Sequence, residues 1–155
     1  MPFDDDFSDD DFSSEDFENS ERKWKEHPLY LKAEEIMDTV DAILDTLDEE
    51  ERDMLASTLQ ESAMMLGAKL AGALGSNNYL ICMQNASIIR YHAEYLRLSN
   101  HSLKEFSKAD KKYIKVLRTE MEEFREMFKT WVKTFNDIPK EEDDFEDEWG
   151  LFLRN

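Results

Sequence analysis

Seven large apolar residues, Ile114, Leu117, Met121, Phe124, Phe128, Trp131 and Phe135, follow one another at steps of 3, 4, 3, 4, 3 and 4. A strand would need a step of two. The 3/4 alternation keeps all seven side chains on one stripe of an α-helix, in the spacing of a helix-bundle seam. The stripe demands a partner surface of equal length, and three further helices supply it. The first starts at Pro28, a favoured first helical position, and carries Leu29, Ala33, Ile36, Val40, Ile43 and Leu47. Asp48 then reads as a cap with Glu49, Glu50 and Glu51 behind it, where the helix dipole favours acids. The second helix repeats at Leu55, Leu59, Ser62, Leu66, Leu70 and Ala73 and stops at Gly75. The third begins at Asn77 or Asn78, places Cys82, Ala86, Ile89, Ala93 and Leu96 on one side, and is expected to run out near Ser99-Asn100. Ser107-Lys108-Ala109-Asp110 reads as a variant capping box before the fourth. No segment alternates with period two for long. The expected fold is all-α, an antiparallel up-down four-helix bundle with acidic N- and C-terminal tails.

Charge divides the chain. Residues 1–20 carry −9, residues 140–155 carry −5, and the middle only −4, of a total of −18. Residues 1–22 therefore read as an acidic tail disordered in isolation, 23–138 as the bundle, and 139–155 as an acidic segment ending in an apolar docking cluster. The first tail spaces Phe3, Phe7, Phe12 and Phe17 among acids; the second closes on Trp149, Leu151, Phe152 and Leu153. Acid-flanked aromatics suit capture of a basic, apolar groove. The compact second cluster is expected to fold back onto the bundle, where its burial would contribute several kcal/mol.

The segment from Ser62 to Ile89 holds a single charge, Lys69. A helix on the outside of a monomeric bundle needs a polar face, and this hairpin barely has one. Met64, Gly67, Ala68, Ala71, Gly72, Ile81, Met83 and Ile88 are accordingly the candidate oligomer or partner interface, with close approach allowed by the small residues. Chemistry is sparse. His27, His92 and His101 form no cluster in sequence, Glu-x-x-His pairs of di-iron bundles are lacking, and the one cysteine, Cys82, permits no intramolecular disulfide and has no Cys or His pattern near it to suggest a zinc site. No metal and no cofactor is expected. The nearest catalytic signature is Arg97-Leu98-Ser99-Asn100-His101, which resembles the Arg/His motif of helical HEPN ribonucleases with a shorter gap.

The stretches "HPLYLKAEEIMDTVDAILDTL", "NASIIRYHAEYL" and "KTWVKTF" resemble the S23-type four-helix proteins encoded in intervening sequences of bacterial ribosomal RNA genes, and the accessory proteins of diversity-generating retroelements that share their fold. Where that group has Asn-x-x-Glu-Gly, this chain has Ala68-Lys69-Leu70-Ala71-Gly72. "EHPLY", "MQNASIIR", "NHSL" and "EWGLF" are similar to an uncharacterised bundle family of Bacteroidetes. The resemblance implies the same fold in a bacterial cytoplasmic setting. It also implies a possible nucleic-acid accessory role, for which Lys108, Lys111, Lys112, Lys115 and Arg118 are the candidate basic face. Net acidity disfavours phosphate backbones and anionic membranes. Without a basic stretch leading into an apolar run, no signal peptide or membrane span is expected, and the cytoplasm is the expected compartment. The expected function is a non-enzymatic oligomerising or adaptor protein whose partners are itself and a basic protein, with the accessory factor second and the ribonuclease third.

Overall fold

A computed structural model describes residues 14–140 and 146–154. Five helices follow in order: α1 (Ser14–Lys25), α2 (Pro28–Thr46), α3 (Glu49–Leu74), α4 (Tyr79–Phe106) and α5 (Lys111–Lys133), the last running into a 3-10 turn, Thr134–Asp137. The last four close a ring in which α2 packs on α3, α3 on α4, α4 on α5 and α5 on α2, with no close backbone approach across either diagonal. That is an antiparallel up-down four-helix bundle.

Each of α2 to α5 begins where a side chain relieves its unpaired N–H groups. His27 Nδ1 accepts from the Leu29 amide at 3.1 Å, with Pro28 in the first turn. Asp48 accepts from Glu51 at 2.8 Å, and Asn78 from Ile81 at 3.0 Å. The start of α5 departs from expectation. Its cap is Asp110, which accepts from Lys112, whereas Ser107 ends α4 and donates to Leu103 O. Helix α4 also continues past Ser99-Asn100 to Phe106. Asn100 does not stop it because its buried amide donates to Ile114 O at 2.7 Å, and Leu103 adds one more buried position to the stripe.

The connections are short, so their polar groups tie the bundle's ends. Arg52 reaches back from α3 to Leu44 O and Asp45 O at the end of α2. At the same end, Lys108 N donates to Glu51 and Asp110 N to Thr46 Oγ1. The core is continuous: Leu29, Ile36 and Ile43 from α2, Leu59, Leu66 and Leu70 from α3, Ile89 and Leu96 from α4, Leu117 and Phe124 from α5 are almost wholly enclosed. Of the seven-residue seam, only Phe128 is half-buried, lying against Phe124 and Trp131 with ring centroids 6.4 and 5.8 Å away.

The expectation of an unstructured tail through residue 22 is corrected over residues 14–22, which form most of α1. Helix α1 packs against α3 and α2. Trp24 sets its ring edge-on to Tyr30 at 4.9 Å, giving the acidic helix an apolar anchor that a charge count does not register.

Candidate functional site

Helix α4 has two unlike flanks. Toward α5, the groove walls are Arg90, Ala93, Glu94 and Arg97, facing Arg125 and Lys129. The charges here are largely paired along their own helices: Arg97 with Glu94 at 2.6 Å, Arg125 with Glu122 at 2.5 Å, Lys129 with Glu126 at 3.4 Å. Toward α3, the outward positions of α4 are Ile81, Gln84, Ile88, Tyr95, Leu98 and Ser99, and none is charged. Helix α3 answers with exposed Met54 and Met64 and half-buried Met65, with only Glu61 and Lys69 as charges between Thr58 and its end. A side-chain bond joins the two helices: Ser62 Oγ and His92 Nδ1 lie 3.0 Å apart. At the far end, Met54, Leu55, Tyr95, Leu103 and Phe106 wall an apolar groove of about 500 Å³.

The candidate interface residues fall into two groups. Met64, Ala68, Gly72 and Ile81 are exposed; Gly67, Ala71, Met83 and Ile88 are half-buried. Gly67 faces inward to a neighbour within the chain, since a Cβ there would sit 3.6 Å from the Tyr30 ring. Gly72 and Gly75 face open space. The small-residue row is thus partly consumed by packing against the start of α2, and the exposed face belongs to the methionines and isoleucines.

The second tail is ordered differently from expectation. Trp149, Leu151 and Leu153 are 93%, 73% and 65% exposed, so the expected buried cluster is corrected. The reason lies in the backbone. Asp147 accepts from the amides of Trp149, Leu151 and Phe152 at 3.1, 2.8 and 2.8 Å, and Gly150 turns through φ +71°. These bonds hold the Asp147 carboxyl below the usual carboxylate range. Wound this way, the turn sends Phe152 and Arg154 inward. Arg154 donates to Asn136 O and Ile138 O beyond α5 and lies 4.8 Å over the Tyr79 ring. Phe3, Phe7 and Phe12 lie outside the described residues, and Phe17 falls within α1.

Reactive groups are occupied by the fold. Cys82 and His27 both line a cleft of about 600 Å³ at one end of the bundle, beside Leu74, Trp131 and Phe135. The Cys82 thiol is spent on Ala73 O and Ser76 O, and burial pushes its ionisation up. His27 is spent on its helix cap, and burial lowers its pKa. The buried Glu120 accepts from Thr39 Oγ1 between α5 and α2; desolvation raises its pKa, and Lys32 nearby bridges Glu35 and Glu123 at 2.6 Å each. Arg97 is held by Glu94, and His101 is exposed. Lys108, Lys111, Lys112, Lys115 and Arg118 are all exposed around the start of α5. Among the described residues, no three His, Cys, Asp or Glu side chains converge as a metal site, and no helix is long and apolar enough to cross a membrane.

Compared with known protein families, curated proteins and solved structures, the chain has no significant match. The surface itself carries the functional reading.

Proposed function

We propose that this chain is a non-enzymatic interaction protein that self-associates through the α3–α4 face. The observation that supports it is the uncharged flank of α4 in a chain of net charge −18. Two such chains repel wherever their acids meet. A neutral face is the place where they can approach without that cost, and a two-fold contact sets it against its own copy. Its size is sufficient. A helix of 28 residues is about 42 Å long, and two helices side by side present a face roughly 20 Å wide. About 800 Å² per copy matches a standard stable interface. Sedimentation of the full chain at micromolar concentration is expected to show a dimer, and Met64→Lys combined with Ile81→Lys, both exposed positions, a folded monomer. A wild-type monomer at that concentration overturns the reading.

A second reading, a nucleic-acid accessory role of the S23-type kind, has one observation in its favour: the exposed bases around the start of α5. Salt-sensitive binding to RNA or DNA that is lost on Lys111→Glu and Lys115→Glu would support it.

A further inference from the structure

Beside the neutral face lies a second surface of different chemistry. The first half of α4 and the turn of residues 146–152 enclose a groove of about 580 Å³. Its apolar walls are Leu80 and Ile88 from the helix and Trp149 and Leu151 from the turn. Its charged lining is entirely acidic: Glu146, Asp147 and Glu148. Asp147 is committed to the turn's own amides, which leaves Glu146 and Glu148 exposed at the rim.

We propose that this groove binds a basic amphipathic helix of a partner protein, its apolar stripe between Trp149 and α4 and its lysines or arginines against Glu146 and Glu148. Three observations converge. The first is charge: an apolar cleft with an acid-only rim, on a segment of net charge −5, complements a cationic partner and repels another acidic copy of this chain. The second is preorganisation. A Trp and a Leu almost wholly in water would ordinarily collapse onto the bundle, yet three bonds to Asp147, the Gly150 turn and the Arg154 anchor hold them outward. A partner that meets a fixed turn loses less ordering entropy on binding. The third is architecture. Among the described residues there is no strand and so no sheet edge to extend, and a helix laid in a groove is the mode this surface accommodates. Trp is also among the residue types most often found to dominate binding.

The groove shares Ile88 with the self-association face, but Trp149 and Leu151 belong to the groove alone, so substituting them tests this proposal without touching that reading. The test uses the full chain and a fluorescein-labelled amphipathic helical peptide of Leu and Lys, with a Leu and Glu counterpart, followed by anisotropy. The cationic peptide is expected to bind and the anionic one not to. Trp149→Ala with Leu151→Ala is expected to weaken binding at least tenfold while leaving the helical circular dichroism unchanged. Glu146→Gln with Glu148→Gln is expected to weaken it severalfold and flatten its salt dependence. Asp147→Asn, which leaves every apolar group in place, is expected to fall between. Equal binding by wild type and the Trp149/Leu151 variant, or equal binding of both peptides, overturns the proposal. So does a Trp149/Leu151 variant that turns a dimer into a monomer, since the occupant would then be a second copy. A monomeric chain that binds the peptide sustains this proposal and removes the dimer; a dimer indifferent to the peptide does the reverse.

Discussion

The bundle has two halves built on different rules. Between α2 and α5 the packing is laced with ionic groups: Lys32 reaches Glu123, and Thr39 reaches Glu120. Between α3 and α4 the join is a serine and a histidine, and the outer surface is methionine, isoleucine, tyrosine and small residues. One core serves both. The difference therefore concerns what each half meets outside. A charged flank is finished by water; on the function proposed above, the neutral flank is finished by another protein surface.

The comparison breaks most forcefully in the core. Leu66→Ala on the neutral side and Phe124→Ala on the charged side are each expected to cost about 3–5 kcal/mol in denaturant unfolding, because both side chains are almost wholly enclosed. Equal losses would show one shared core; a small loss on one side would show two loosely joined pairs. Next comes the bridge between the halves. Asn100→Leu removes the side-chain donor to Ile114 O, a carbonyl inside α5 that keeps its helical partner. A loss of about 0.5–1.5 kcal/mol is expected in the same measurement.

The charged half should respond to pH in a way the neutral half does not. The folded state raises the Glu120 pKa, so it favours the protonated acid. Stability from this group is thus greatest below its unfolded value of 4.5 and declines as pH rises through the folded one. Glu120→Gln is expected to stabilise the chain by about 1 kcal/mol at pH 7, roughly 3 °C in Tm, with no gain at pH 3. A gain that persists in acid would mean that the carboxyl is not penalised by burial. His27 supplies the smallest effect, with the opposite dependence. Its pKa is lowered from 6.5, so its contribution is complete above 6.5 and is lost as pH falls through the folded value. His27→Asn keeps a capping side chain and is expected to flatten the stability profile in that window.

Much of the fold was legible because caps and stripes are local. Pro28, Asp48 and Asn78 stand at helix starts, and the Ile114–Phe135 seam is buried almost throughout. Other features were not legible, for physical reasons. Asn100 reads as a stop, but a polar residue continues a helix when a carbonyl of the next helix takes its amide. The acidic α1 reads as free chain, but one tryptophan against Tyr30 gives it a seat. The density of apolar residues at 149–153 reads as burial, but a carboxylate collecting three amides sets the direction of the turn, and the direction decides which side chains face water. The neutral flank was visible as a run without charge. That Gly67 belongs to the interior of the fold and Gly72 to its surface required the neighbours to be placed.

Cys82 gives the molecule a built-in clock. It is the one thiol in the chain, enclosed at the junction of α3 and α4, and bonded to carbonyls at Ala73 and Ser76. An alkylating reagent reaches it only when that junction opens. Its modification rate therefore counts openings around this junction without any label or added residue, and a rate faster than that of global unfolding marks local loosening there.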